Sequence, residues 1–249
     1  MTHEAAIEFD RVSFRLNGRP LLQDLDLSVM QGETLVLLGR SGSGKTTTLR
    51  LINRLLLPTE GEVRVQGVPT TQWDPIRLRR SIGYVIQDGG LFPHFTVERN
   101  IALVPRIENW PPERVRIRVR ELLDTVGLNE QLASRYPAEL SGGQRQRVGV
   151  ARALAADPPI LILDEAFGAL DPITRSEMQK EFRALQQRMQ KAVIFVTHDL
   201  REALLMADRI ALLEDGRKIV DLPAAEFVHS QHPLARAYVE AFSGLPDPR

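Results

Sequence analysis

The residue pattern best suited to phosphate chemistry is the segment Gly-Arg-Ser-Gly-Ser-Gly-Lys-Thr at residues 39–46. It fits the spacing G-x-x-x-x-G-K-[ST], follows an apolar run and precedes a segment of helical character. Glycines let backbone amides turn toward phosphate, and the N-terminus of the following helix adds a favourable dipole. The pattern predicts that Lys45 reaches the β- and γ-phosphates of a nucleotide and that the Thr46 hydroxyl binds Mg²⁺. The expected nucleotide contacts here are Gly39, Arg40, Ser41, Gly42, Ser43, Gly44, Lys45, Thr46 and Thr47.

A second glycine-rich turn, Leu-Ser-Gly-Gly-Gln at residues 140–144, opens another helix farther along the chain. A serine hydroxyl and unhindered glycine amides at a helix start suit an anion. Ser141, Gly142 and Gly143 are therefore candidate donors to a second phosphate-facing site.

Two adjacent acids follow the apolar run at residues 160–163. Asp164 is placed at the end of a buried strand to hold Mg²⁺ through water, and Glu165 is placed beside it to polarise an attacking water. Alternatively, the two acids belong to a solvated turn. This interpretation is the weaker one because a phosphate loop lies upstream in the same chain.

Two further polar residues follow predicted strands. His198 comes after the apolar run at residues 193–196, where an imidazole would reach a γ-phosphate, although spacing alone equally allows an uninvolved histidine. Gln87 follows Tyr84-Val85-Ile86, and its amide either contacts Mg²⁺ or the lytic water, or caps a turn.

Composition narrows the class of protein. The chain has 249 residues, of which 43% are hydrophobic and 26% charged, as in ordinary globular proteins. Lys plus Arg number 32 and Asp plus Glu number 32, so the net charge gives no argument for nucleic acid binding. There is no cysteine, no apolar run near the ~20 residues that span a bilayer, and no signal peptide pattern at the N-terminus. We expect a cytoplasmic protein whose membrane role would come through a partner.

Hydrophobic periodicity indicates one α/β domain over residues 1–249 that carries an inserted helical block at about residues 91–157. Strands are expected at residues 7–14, 25–29, 34–38, 62–65, 82–86, 160–163, 193–196, 210–213 and 218–221. Helices are expected at residues 46–57, 111–127, 129–135, 143–156, 172–189, 224–230 and 233–242, with a short C-terminal extension at residues 224–249.

Together these motifs resemble the ATP-binding subunit of an ABC transporter, and the similarity covers essentially the whole chain. The matching elements, in chain order, are residues 39–46, Gln87, residues 140–144, Asp164-Glu165, Ala169-Leu170-Asp171 and His198. The resemblance implies a P-loop NTPase core with a mainly parallel sheet, an N-terminal antiparallel β subdomain and an inserted helical subdomain.

The resemblance also implies that two copies, or a copy and a homologous subunit, pack head to tail around two ATP molecules. Ser141, Gly142, Gly143 and Gln144 would then contact the γ-phosphate held by the partner's loop, and Asp171 would couple the two sites. Gln87 would link the nucleotide to the surface at residues 87–97 that docks a membrane permease. His94 belongs to that docking surface.

Finer sequence features resemble importers of quaternary amines such as glycine betaine, choline or carnitine. They are residues 51–55, 83–87, 90–94 and 104–110. Such importers use separate permease subunits and an extracytoplasmic substrate-binding protein. The length of 249 residues resembles the short forms that lack an appended C-terminal regulatory module.

Two positions depart from the family pattern. The family stacks an aromatic residue on adenine near the end of the first strand; that position is Leu16 here, with Phe14 as the alternative if the local register shifts. Ala166 follows the acids where proline is common, which frees the backbone and leaves both carboxylates in place.

Other functional classes fit less well. A P-loop kinase or small GTPase would not explain residues 140–144 or His198. A soluble ABC-type ATPase of ribosomes or DNA repair usually has two ATPase domains or a long coiled coil, and neither is present. A role in the import of another small solute, such as an amino acid, is also compatible with the sequence, because the ATPase subunit does not touch the substrate. A role in export is disfavoured but not excluded.

Overall fold

The structure, a computed structural model, describes residues 5–243, apart from the side chains of Asp88 and Ser243. The chain forms two compact units, which are described separately. The terminal unit consists of the residues up to Pro75 together with those from Gln190 onward, and the middle unit is Ile76–Met189. The expected C-terminal extension includes residues 244–249, which lie outside the described residues.

The strands in chain order are β1 (Ala5–Leu16), β2 (Arg19–Met30), β3 (Thr34–Leu38), β4 (Glu60–Val65), β5 (Val68–Pro69), β6 (Ile82–Ile86), β7 (Ile160–Asp164), β8 (Ala192–Thr197), β9 (Arg209–Glu214) and β10 (Arg217–Pro223). The α-helices are α1 (Lys45–Ile52), α2 (Pro75–Arg80), α3 (Val97–Ile101), α4 (Leu103–Ile107), α5 (Pro112–Thr125), α6 (Gly142–Leu154), α7 (Pro172–Met189), α8 (Leu200–Met206), α9 (Ala224–Phe227) and α10 (Pro233–Ser243). Short 3₁₀ turns occur at Gln87–Gly90, Glu130–Ser134 and Pro137–Glu139.

Two sheets organise the terminal unit. In the first, β1 pairs antiparallel with β2 and β4, and β4 pairs with β5. In the second, β3 lies between β8 and β9 and is parallel to both, while β10 pairs antiparallel with β9. Every residue of β3 and β8 is buried, as expected for parallel strands covered on both faces.

The middle unit combines one parallel strand pair, β6 and β7, with helices. The helix α5 buries Val115, Val119, Leu122 and Leu123, which have the helical spacing that the sequence shows. Gly83 of β6 lies against α6, and a Cβ on this residue would come within 2.4 Å of the Ala153 carbonyl oxygen. This close approach explains the glycine within an apolar strand.

The expected strand at residues 82–86 and the expected helix at residues 172–189 are confirmed at the same residues. The helix expected at residues 46–57 ends instead at Ile52. It ends there in a turn where Arg54 adopts a left-handed φ of 55° and the Leu55 amide donates to the Arg50 carbonyl oxygen at 2.8 Å and to Asn53 Oδ1 at 3.2 Å. The segment expected as a helix at residues 129–135 is a 3₁₀ turn, and the short β5 and α2 were not expected.

An ion-pair cluster joins the strand connections of the terminal unit. Arg209, the first residue of β9, contacts Glu33 at 2.5 Å and Asp221 at 2.6 Å, and it also donates to the carbonyl oxygen of Ser28. All three charged side chains are largely buried. Because buried carboxylates without a cation are costly, this cluster fixes how the β2–β3 turn meets the β9–β10 hairpin.

We expect Arg209→Met to lower the free energy of unfolding by about 2 to 4 kcal/mol, because it leaves the Glu33 carboxylate in a largely buried position without this cation. Urea unfolding followed by circular dichroism measures the change. Arg11→Met is the matched control, since the Arg11 guanidinium is exposed beside Asp10. An Arg209→Met protein as stable as the wild type would contradict this account.

Candidate functional site

The phosphate loop at residues 39–46 connects β3 to α1, as the motif predicts. Two of its positions have no room for a side chain, which explains why they are glycines. A Cβ on Gly39 would lie 2.5 Å from the carbonyl oxygen of Leu213, and a Cβ on Gly44 would lie 2.7 Å from Leu22 Cδ2. Gly44 also has a φ of 107°, which side chains rarely adopt. The strands of the terminal unit therefore determine the path of the loop.

Lys45 places a cation within this loop. Its side chain is 5% exposed, and Nζ donates to the carbonyl oxygens of Gly39 at 2.7 Å and Arg40 at 2.8 Å. Thr46 is exposed and Thr47 is half-buried at the start of α1. An ammonium group beside the first amides of a helix gives a positive local potential, which suits a phosphate group.

The register of parallel strands brings His198 beside the start of this loop. Thr197, the last residue of β8, pairs with Leu38, the last residue of β3, so His198 and Gly39 leave the sheet from neighbouring positions. His198 is exposed. The turn that carries it is held by Thr197 Oγ1, which donates to Glu202 at 2.5 Å and accepts from Asp199 N at 3.1 Å.

The structure distinguishes the two candidates for the adenine contact. Phe14 is 7% exposed and pairs with Leu22 inside the β1–β2 sheet, whereas Leu16 is 52% exposed at the end of β1. Leu22 also lies against Gly44, which brings this hairpin to the phosphate loop. Phe14 is therefore part of the core, and Leu16 is the candidate with an accessible side chain.

In the middle unit, parallel pairing aligns the polar residues that follow β6 and β7. Ile86 pairs with Asp164, the last residues of their strands, so Gln87 and Glu165 directly follow neighbouring strands. Asp164 accepts a hydrogen bond from the Tyr84 hydroxyl at 3.0 Å. Glu165 has a left-handed φ of 48°, a conformation that persists in non-glycine residues only when the surroundings hold it.

The turn after β6 is attached to α6. A Cβ on Gly89 would lie 2.7 Å from the carbonyl oxygen of Arg145. Arg152 donates to the carbonyl oxygens of Gly90 and Gly89, at 2.8 Å each, and burial lowers the pKa of its guanidinium from the ordinary value. The segment that begins with Gln87 therefore has a fixed path along the helix that begins at residue 142.

The second glycine turn forms a reciprocal cap at the start of α6. Gln144 N donates to Ser141 Oγ at 3.2 Å, and Ser141 N donates to Gln144 Oε1 at 2.9 Å. Gln144, expected as a nucleotide contact, thus has its amide oxygen engaged in capping. Gly142 and Gly143 occupy the first turn, whose amides have no acceptor within the helix.

Asp171 lies next to this turn. It accepts a hydrogen bond from Thr174 N at 3.1 Å, and hydrogen bonds from Thr174 lower the pKa of its carboxyl group. A Cβ on Gly143 would lie 2.8 Å from Thr174 Cγ2, and one on Gly142 would lie 3.6 Å from Leu170 Cδ2. The second glycine turn and the Asp171 segment therefore form one surface of the middle unit.

The predicted residues thus fall into two groups. The terminal unit brings together the phosphate loop, the Leu16 hairpin and His198. The middle unit brings together Gln87, Asp164, Glu165, the second glycine turn and Asp171. Among residues 5–243, no group of three or more His, Cys, Asp or Glu side chains is arranged to hold a metal ion, and no helix is long and apolar enough to cross a membrane.

Sequence reasoning missed three residues whose side chains bind a predicted site residue or a segment next to one: Tyr84, Arg175 and Glu202. Tyr84 was visible as a polar aromatic within an apolar strand. Glu202 follows His198 in the sequence but is buried, which charge patterning does not reveal. Arg175 donates to the backbone carbonyl oxygens of Phe167, Gly168 and Leu170, and a sequence contains no signal for such a contact.

The sequence profile of the ABC transporter family matches residues 22–168. The glycine betaine/carnitine/choline transport ATP-binding protein OpuCA of Bacillus subtilis (strain 168) is 49% identical over 219 residues, which are 85% of this chain and 58% of OpuCA. The glycine betaine uptake system ATP-binding protein YehX of Escherichia coli (strain K12) is 46% identical over 213 residues, covering 86% of this chain and 69% of YehX. The chain therefore spans less than two thirds of the length of OpuCA.

Among solved structures, the dimeric post-hydrolysis state of the ATP-binding cassette MJ0796 bound to ADP and Pi has a TM-score of 0.77 at 34% identity, covering 88% of this chain and 98% of that chain. This likeness confirms the predicted P-loop NTPase fold. The family profile covers more than half of the chain and includes the phosphate loop, the second glycine turn and both acids. The chain belongs to the ABC transporter family.

Proposed function

We propose that this chain is an ATP-binding and hydrolysing subunit of an importer that takes up a small quaternary amine such as glycine betaine. The observation that carries this proposal is the capped second glycine turn beside Asp171, in a chain that also has its own phosphate loop with a buried lysine. The substrate class is supported by the similarity to OpuCA and YehX, whose names specify glycine betaine.

The side chains of the site fit ATP and Mg²⁺. Lys45 already donates to carbonyl oxygens of the loop, so its ammonium is positioned where phosphate oxygens would replace or join those acceptors. The proposed Mg²⁺ ligands are the Thr46 hydroxyl, the Gln87 amide oxygen and the Asp164 carboxylate, the last through water. All are hard oxygen donors, which Mg²⁺ prefers. The ion would neutralise charge on the phosphate oxygens.

In the proposed reaction, water attacks the γ-phosphorus and the bond to the bridging oxygen breaks, which yields ADP and inorganic phosphate. Glu165 polarises the water and accepts its proton. Lys45 and His198 stabilise the charge that develops on the γ-phosphate oxygens. Gln87 holds the water or the ion, and Leu16 covers the adenine ring.

We propose that the active unit contains two copies of the chain, or one copy and a homologous subunit. Ser141, Gly142 and Gly143 of each copy would donate to the γ-phosphate held by the loop of the other, and Asp171 would couple the two sites. Phosphate shared between copies favours the closed pair, and its loss lets the pair reopen. The difference in ATP affinity between the open and the closed pair would supply the free energy for transport.

The proposed partners are membrane permease subunits, which would hold the chain at the inner face of the cell membrane, and an extracytoplasmic substrate-binding protein. The permease would dock on residues 87–97, where Phe92 and His94 are exposed. Residues 91–157 would act as the inserted helical subdomain and residues 224–249 as a short extension of a single ATPase domain.

Uptake of labelled glycine betaine by the reconstituted complex tests the whole proposal, and uptake of an amino acid instead would overturn the substrate class.

We expect Glu165→Gln to retain ATP binding and to lower turnover by at least about a hundredfold, because the general base is lost. Phosphate release measures turnover, and size-exclusion chromatography with ATP should show a trapped dimer. Glu177→Gln, an exposed substitution on α7, is the matched control. Wild-type steady-state hydrolysis by Glu165→Gln would remove Glu165 as the base.

Ser141→Arg should block hydrolysis and spare ATP binding to the phosphate loop of the same chain, because a cation and a bulky side chain would occupy the shared interface. The lost helix cap costs about 1 kcal/mol, so the melting temperature is recorded as well. Ser134→Arg adds the same charge at an exposed position of the middle unit. A reduced ATP affinity of the isolated Ser141→Arg chain would show that the two copies do not share sites.

Leu16→Tyr should tighten ATP binding by about threefold to tenfold, because a ring at this exposed position can stack on adenine. Isothermal titration calorimetry of the isolated chain measures the affinity. Val68→Tyr, at another exposed position of the same sheet, is the control and should change nothing. If Leu16→Tyr and Leu16→Ala both bind ATP as the wild type does, adenine does not lie on Leu16.

A further inference from the structure

The loop at residues 166–171 joins Glu165, the proposed base, to Asp171, the proposed coupling residue. Its backbone turns tightly, since Gly168 N donates to the carbonyl oxygen of Glu165 at 3.0 Å and Leu170 N donates to that of Phe167 at 3.2 Å. The Phe167 carbonyl oxygen thus accepts one hydrogen bond from within the loop.

This loop also lies against two other parts of the candidate site. A Cβ on Gly168 would lie 3.8 Å from Gln87 Nε2, and a Cβ on Gly142 would lie 3.6 Å from Leu170 Cδ2. A displacement of the loop would therefore disturb Gln87, Glu165 and the second glycine turn together.

The side chain of Arg175 binds the backbone of this loop at several points. Arg175, on the first turn of α7, donates from Nε to the carbonyl oxygen of Phe167 at 3.1 Å and from Nη2 to those of Gly168 and Leu170, at 3.0 Å each. Its own amide donates to the carbonyl oxygen of Asp171 at 2.9 Å. The guanidinium therefore binds residues at the start, middle and end of the loop.

The geometry of this contact suits arginine better than lysine. A guanidinium offers five N–H groups in a planar fork, whereas a lysine ammonium is a point charge on a flexible stem. The planar fork holds its N–H groups in fixed directions, and here Nε and Nη2 reach carbonyl oxygens of three residues while the stem stays on α7. Glu165 has a left-handed φ at the loop's first end, so its conformation depends on such support.

We propose that Arg175 is a positioning residue for ATP hydrolysis: it keeps Glu165 and Asp171 at one fixed spacing, so that closure of the pair of copies places the base correctly. This inference rests on the proposed ATPase function. Arg175 acts through the loop and is not assigned a contact with nucleotide. Its loss should therefore affect turnover and pairing far more than ATP binding by a single chain.

The test compares Arg175→Met, Arg175→Lys and the control Arg188→Met, which removes an exposed arginine from the same helix. Arg175→Met should lower kcat by about tenfold or more, because small misplacements of a reacting group are costly. ATP affinity of the isolated chain and the melting temperature should stay near the wild-type values. Arg175→Lys should recover part of kcat, and Arg188→Met should match the wild type.

A second readout uses the Glu165→Gln background, in which ATP is expected to trap a dimer. Adding Arg175→Met should reduce the yield of that dimer at a fixed ATP concentration. Two results would overturn the inference: wild-type kcat in Arg175→Met, or a loss of ATP affinity that parallels a loss of melting temperature, which indicates a general structural role.

The two proposals fail differently. If the wild-type chain does not hydrolyse ATP alone or with its permease, the proposed function is wrong and the role of Arg175 falls with it. If the wild-type chain hydrolyses ATP and Arg175→Met does so equally well, only the role of Arg175 is wrong.

Discussion

The pairing register of parallel strands is the constraint on which the candidate site depends. Leu38 pairs with Thr197 in the terminal unit, and Ile86 pairs with Asp164 in the middle unit. Because parallel strands end at the same edge of a sheet, the residues that follow them emerge side by side. A shift of one residue in either register would turn the functional side chains to the opposite face.

Loops that leave these strands are held by side chains that bind main-chain atoms. Arg152 binds the carbonyl oxygens of the turn after β6, Arg175 binds those of the loop after β7, and Thr197 binds the amide of Asp199 after β8. Each contact satisfies backbone groups that no strand or helix can satisfy. The loops thereby keep one geometry without belonging to regular structure.

The sequence predicted regular elements well where hydrophobic periodicity continues to a clear end. The helix at residues 172–189 and the strand at residues 82–86 have this property. The prediction was wrong at the end of α1, where the backbone turns at Arg54, before Pro58, and the Leu55 amide donates to the Arg50 carbonyl oxygen. Hydrophobic periodicity indicates which face of an element is buried, but it contains no information on such local hydrogen bonds.

The family of this protein could be recognised from residue types and spacing alone: the phosphate loop, the second glycine turn and the two adjacent acids. The spacing was enough for this recognition because few other arrangements of glycines, a lysine and carboxylates suit both a phosphate group and its counterion. The three-dimensional contacts were needed to show that Phe14 is buried and Leu16 exposed, that His198 lies beside the start of the phosphate loop, and that Gln144 caps α6. Burial and strand register arise from contacts between residues far apart in the chain, so a local pattern of residue types does not contain them.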